Sequence, residues 1–200
     1  MFKKEWIYRE LACLHLKERG AAFTELSLSR KFGISLCTVH HALVPLKEMG
    51  IVTPLSRGWR VVAFGKLLAF WASTRRLGRE IIWEGNAPSV REAERLAPSG
   101  TVWGGFTAYK LRYKETPADY SVLVLYADEK QLGEIKERLE RGKGGARILV
   151  LKKDQFILDE SQDGLCTDPQ IYADLWNMKE WYAADFRRAL EKQMGIDGME

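Results

Sequence analysis

Three glycines, Gly20, Gly33 and Gly50, cut the first fifty residues into pieces of helix length, and this punctuation constrains the fold more than any other feature. Glycine adopts the left-handed backbone conformation at little cost, so it ends helices. Between these stops the apolar residues recur at helical spacing. Within residues 4–18, Ile7, Leu11 and Leu14 share one face. Thr24 is placed to cap a second helix that runs to Phe32, and Ser35 to cap a third. In the third, Val39, Ala42, Leu43 and Leu46 form an apolar stripe. Pro45 lies inside that helix and invites a kink or an early stop. Ile51–Pro54, a Ser56-Arg57-Gly58 turn and Trp59–Phe64 then read as a two-stranded hairpin, with Trp59 placed to pack back on the helical base.

Three short helices followed by a hairpin is the order of parts in a winged helix-turn-helix, and Ala21–Val62 resembles that superfamily. TELSLSRKFGIS corresponds to the second helix, the turn and the next cap; LCTVHHALVPLKEMGIV corresponds to the recognition helix and the first wing strand. With the first helix included, the resemblance covers about 60 residues. It implies double-stranded DNA as the partner, with base contacts made by the first turns of the third helix.

The residues agree with that assignment in their chemistry. With the stripe buried, the opposite face of the third helix carries Leu36, Cys37, Thr38, His40 and His41. Thr38 can hydrogen-bond a base edge and set its methyl against a thymine methyl, and His41 can donate to guanine or to phosphate. Ser35 begins the helix, whose N-terminal N–H groups suit a phosphate. Arg30 and Lys31 at the end of the second helix, and Arg57 and Arg60 on the wing, are the phosphate candidates. The recognition face has no Arg or Lys before Lys47, so bidentate Arg–guanine readout is missing, and shape and wing contacts must carry more of the recognition. About five neutralised phosphates would give a slope of log K against log salt near −4.5 per protomer. The plainer reading of each residue is a solvated surface cation, a small packing cysteine, or an exposed histidine pair that serves as filler or pH switch.

Charge is distributed in the same sense. Residues 1–80 carry 14 Lys and Arg against 6 Asp and Glu, a net of +8, whereas residues 81–200 carry 17 against 21, a net of −4. The basic half can face a polyanion while the other half does not.

Other function classes are excluded by composition and motif. The three cysteines, at 13, 37 and 166, form no CxxC pair, and the three histidines, at 15, 40 and 41, include an adjacent pair that cannot easily share one metal. No metal site, cofactor or disulfide framework is expected. There is no 18-residue apolar run, and MFKKEWIYRE lacks the apolar core of a signal peptide, so neither membrane insertion nor secretion is expected and the location is read as cytoplasmic. Sparse Asn and Gln beside abundant Lys, Arg and Glu lean towards a heat-adapted source. Neither GxSxG, P-loop, HExxH nor GxGxxG is present.

The second half alternates. Residues 66–77 form an amphipathic helix, read as a connector or a dimerisation helix. Ile81–Trp83, Asp119–Tyr126, Ala146–Lys152 and Gln170–Trp176 read as strands; VREAERLA after Ser89 and EKQLGEIKERLE after Asp128 read as helices. Lys143-Gly144-Gly145 reads as a turn. Met178–Met194 reads as a final helix with Trp181, Tyr182, Phe186 and Leu190 inward. Strands separated by helices suggest a mixed α/β sheet.

Trp103-Gly104-Gly105, then Asp119-Tyr120-Ser121, then Tyr172-Ala173-Asp174 resemble the nucleotidyltransferase superfamily. That family places Gly-Gly or Gly-Ser at a strand end, Asp-x-Asp on a second strand and a third carboxylate on a later one. Ser121 stands where the second carboxylate belongs, and a neutral hydroxyl is a poor magnesium ligand. The resemblance therefore implies a degenerate domain without transfer chemistry.

VWGGFTAYKLRYKETPADYSVLVLYA and QIYADLWNMKEWYAADFRRALE, about a quarter of the chain, resemble more narrowly the antitoxin-type regulators of abortive-infection (AbiE) systems. That implies a DNA-binding repressor, with a homodimer and a cognate toxin or other protein as further partners. The alternatives are an active nucleotidyltransferase targeted to nucleic acid, or a protein-interaction module.

The expected architecture is α+β: a winged helix-turn-helix over residues 1–64, a connecting helix over 65–80, and a nucleotidyltransferase-like mixed α/β domain over 81–200.

Overall fold

The computed structural model describes residues 1–139 and 144–196. The fold is α+β, with two small sheets among the described residues. The described residues divide into two compact units, Met1–Arg75 together with residues 194–196, and Arg76–Gln193.

The first unit contains α1 (Lys3–Lys17), α2 (Glu25–Phe32), α3 (Leu36–Glu48), β1 (Val52–Pro54), β2 (Trp59–Val61) and α4 (Phe64–Thr74). The helix ends follow the local chemistry. Thr24 Oγ1 accepts from the Ser27 N–H at 3.0 Å, and the Ser27 hydroxyl accepts from the Thr24 N–H at 3.1 Å, a capping box at the start of α2. Gly33 ends α2 in the left-handed conformation, φ +60°. Ser35 Oγ accepts from the Thr38 N–H at 3.1 Å and caps α3. That helix runs through Pro45 to Glu48, so the early stop does not occur. Ile7, Leu11, Val39, Leu43 and Leu46 are fully buried and form the core with Leu67, Leu68 and Trp71 of α4.

Helix α4 belongs to this unit, and the division falls at Arg75 rather than within a separate connector. Its attachment is polar as well as apolar. The buried Glu5 carboxylate on α1 accepts from Trp71 Nε1 at 3.2 Å and from Arg75 Nη1 at 3.0 Å.

The second unit contains β3 (Ile81–Ala87), α5 (Val90–Leu96), β4 (Val102–Gly104), α6 (Gly105–Tyr113), β5 (Val122–Ala127), α7 (Glu129–Leu139), β6 (Ala146–Lys152), α8 (Ile157–Glu160), α9 (Asp168–Trp176) and α10 (Ala183–Met194). The sheet order is β3-β6-β5-β4. β5 and β6 are parallel, with α7 as the crossover a parallel pair requires, and both edge pairs are antiparallel. The sheet is thus mixed, as the alternation of elements suggests. Leu123, Leu125, Ile148 and Val150 pack with Ile135 and Leu139 of α7 and with Ala93 of α5. An aromatic cluster of Phe106, Tyr109, Tyr120, Tyr182 and Phe186 forms a second layer. Every residue of β5 is buried, which is why its sequence is continuously apolar rather than alternating.

Several expectations are corrected. Gln170–Trp176 is helical, part of α9, not a strand. Pro169 opens the helix, and Pro169–Leu175 are all buried, so no period survives to distinguish a helix from a strand. Helix α6, which Gly105 opens, is absent from the sequence reading. Residues 119–121 lie before β5, which begins at Val122. Trp181 is 77% exposed rather than inward, because α10 begins only at Ala183 and the inward stripe is Phe186 and Leu190 with Tyr182 just ahead of it. Of the turn read at Lys143-Gly144-Gly145, Lys143 lies outside the described residues.

Candidate nucleic-acid interface

The two faces of α3 separate as its spacing dictates. Val39, Ala42, Leu43 and Leu46 are buried, while Leu36 (49% exposed), Cys37, His40 and His41 face outward. Thr38 is half-buried, and its hydroxyl lies 2.9 Å from Ser35 Oγ, so it takes part in the cap. Ser35 is exposed at the helix start.

The hairpin is fastened to the helices at three points. Phe23 and Trp59 exchange two backbone hydrogen bonds of 2.8 Å. Gly58 has φ +94°, and a Cβ there would lie 2.2 Å from the Phe23 carbonyl oxygen, so only glycine lets the hairpin approach the start of α2 so closely. Lys47 Nζ lies 4.2 Å from the Trp59 ring centroid and 2.8 Å from Glu25 Oε1, joining α3, α2 and β2 at one side chain. Arg60 stands next to Trp59 and pairs in register with Thr53; Arg57 lies at the tip, and both are exposed.

The five cations on α2, α3 and the hairpin therefore fall into two groups. Arg30, Arg57 and Arg60 are exposed and have no carboxylate partner among the described residues. Lys31 pairs with Glu10 of α1, and Lys47 pairs with Glu25. Glu25 Oε1 also lies 3.5 Å from His40 Nδ1. Partial burial pushes the Glu25 carboxyl up, but hydrogen bonding and charge from Lys47 and His40 outweigh it and hold the group below the ordinary carboxylate range. Glu10 and Glu25 were not among the site residues read from the sequence. Lys47 and Glu25 are 22 positions apart, and only folding brings such a pair together.

In the second unit the residues read from the sequence as a degenerate nucleotidyltransferase motif are brought together only in part. Gly104 ends β4 and Gly105 begins α6. A Cβ at Gly104 would lie 2.9 Å from the Tyr126 ring and 3.0 Å from Asp174 Oδ2, so this glycine makes room for a buried network. Asp174, fully buried on α9, accepts from the Tyr126 hydroxyl at 2.7 and 2.8 Å and from Gln170 Nε2 at 2.9 Å. Asp119 is exposed before the start of β5, and Ser121, also exposed, has its N–H donating to the Tyr182 hydroxyl at 3.1 Å. Tyr126 is near the far end of that strand. Asp119 is thus exposed ahead of β5, whereas Asp174 is fully buried and bonded to Tyr126 of that strand. Among the described residues no three His, Cys, Asp or Glu side chains are grouped to hold a metal ion.

Among the described residues no helix is long and apolar enough to cross a membrane. No protein-family model matches the chain, no curated protein matches its sequence, and no solved structure matches it.

Proposed function

We propose that the first unit is a winged helix-turn-helix that binds duplex DNA, with α3 as the helix presented to the major groove and the β1–β2 hairpin as the wing. The observation that carries this reading is the pairing of an outward α3 face with a hairpin bearing two unpartnered arginines, Arg57 and Arg60, fastened to that helix through Lys47. His41 and Cys37 are the side chains placed to meet base edges, and Arg30, Arg57 and Arg60 to meet phosphates.

The ion pairs revise the expected electrostatics. With Lys31 and Lys47 paired, three of the five cations on α2, α3 and the hairpin remain free, which gives a salt slope of about −2.7 per protomer. Such binding is modest in affinity, and with no arginine on α3 it depends on the wing and on duplex shape for selectivity. The chain then acts as a transcriptional regulator whose second unit serves assembly or sensing. Phosphoryl transfer is disfavoured because Ser121 stands where a second carboxylate is needed and the Asp174 carboxylate is buried in hydrogen bonds from Tyr126 and Gln170.

A second reading, docking of a protein on the same surface, is favoured by one observation. Leu26 and Leu36 are 46% and 49% exposed on α2 and α3, an apolar content that a purely phosphate-facing surface does not need. Fluorescence-anisotropy titration of labelled duplexes of unrelated sequence at 50 and 200 mM salt tests the choice. DNA binding that weakens about 40-fold over this range supports the first reading; absence of salt-sensitive binding to any duplex rejects it in favour of the second.

A further inference from the structure

We infer that Glu25 is an attenuator of the DNA interface: its carboxylate occupies Lys47 and stands beside His40, withdrawing positive charge that would otherwise meet phosphate. This rests on the DNA-binding reading of the first unit.

The geometry is specific to this carboxylate. Glu25 is the first residue of α2, directly after the capping Thr24, and its Oε1 lies 2.8 Å from Lys47 Nζ and 3.5 Å from His40 Nδ1. His40 and Lys47 are seven positions apart on α3, two helical turns along one stripe, so the carboxylate stands on the face that runs from the outward residues of α3 to the wing. Lys47 does not depend on Glu25 alone for its position, since the Trp59 ring lies beneath it at 4.2 Å. Removing the carboxylate charge therefore leaves an ammonium still stacked on Trp59 and no longer neutralised. A phosphate approaching this surface meets a Lys47–Glu25 pair of zero net charge in the native protein and a full positive charge without Glu25. Each additional cation that displaces counterions steepens the salt slope by about 0.9.

The test compares wild type with Glu25→Gln and Glu48→Gln. Glu48 is exposed near the end of α3 and has no ion-pair partner among the described residues, so its substitution changes net charge equally without releasing Lys47. The readout is the salt slope on one unrelated duplex, with circular dichroism confirming helix content. Glu25→Gln is expected to steepen the slope by about 0.9 and to tighten binding at 0.1 M salt on the order of five- to tenfold. Glu48→Gln should leave the slope at its wild-type value, and Glu25→Gln/Lys47→Met should return it there. Should Glu25→Gln fail to fold, Glu25→Ser, which keeps a residue suited to a helix start, takes its place with the same expectation. Equal slopes for Glu25→Gln, Glu48→Gln and wild type overturn the inference while leaving DNA binding standing. Salt-insensitive or absent binding by the wild type overturns the DNA reading and the inference with it.

Discussion

The ammonium of Lys47 lies 4.2 Å from the centre of the Trp59 ring, so the last turn of α3 and the second strand of the hairpin are joined by a cation–π contact. Such contacts contribute about 0.5–2 kcal/mol according to their exposure. A double-mutant cycle of Lys47→Met and Trp59→Leu, read by urea unfolding, should therefore return a coupling energy of about 0.5–2 kcal/mol. Additive single effects would show that the two residues do not act together.

Glu5 and Arg75 form a fully buried ion pair between α1 and the residue that ends α4. Removing one charge leaves the other in a medium that solvates it poorly. Glu5→Ala should destabilise the protein by about 3–5 kcal/mol. Glu5→Leu/Arg75→Leu should cost markedly less, because neither charge of the pair is then left buried without the other. A double variant as unstable as Glu5→Ala would contradict this assignment of the cost to the stranded guanidinium.

His15 stacks on Phe64, with ring centroids 4.7 Å apart, and its pKa is lowered by burial first and by Arg19 second, against an opposing hydrogen bond with the Val61 backbone. A histidine whose folded pKa lies below its unfolded value binds more protons when unfolded. Its contribution to stability is therefore complete above the ordinary value of 6.5 and is lost as pH falls through the lower folded value. Thermal melts between pH 8 and pH 4.5 should show a smaller acid-side loss for His15→Phe than for wild type. Parallel curves would remove His15 as a source of the pH dependence.

Gly104 and Asp119 should behave differently although both belong to one sequence motif. A methyl at Gly104 would press on Tyr126 and Asp174 of the buried network, so Gly104→Ala should cost about 1–3 kcal/mol. Asp119 is exposed, and Asp119→Ala should stay within about 0.5 kcal/mol of wild type. Comparable losses in the two variants would indicate that Asp119 shares the network after all.

Local chemistry made the first unit legible. Thr24, Gly33 and Ser35 set helix ends through hydrogen bonds to residues three to five positions away, and the α3 stripe at 39, 42, 43 and 46 is buried as its spacing requires. The second unit was less legible where burial is complete. Residues 169–175 are buried on all sides, so they carry no alternation, and an apolar run with a Tyr-x-Asp motif reads equally as a strand. The candidate interface was half legible. The outward residues of α3 follow from its period, but the neutralisation of Lys31 by Glu10 and of Lys47 by Glu25 depends on pairs 21 and 22 positions apart. On the DNA-binding reading, these pairs leave fewer cations free to meet phosphate.

The most direct test of DNA binding through the wing is the salt slope of duplex affinity for wild type beside Arg57→Ala/Arg60→Ala. The account predicts a slope near −2.7 for the wild type and near −0.9 for the variant, since only Arg30 then remains unpaired on α2, α3 and the hairpin. An identical slope for both proteins, or wild-type binding indifferent to salt, would contradict it.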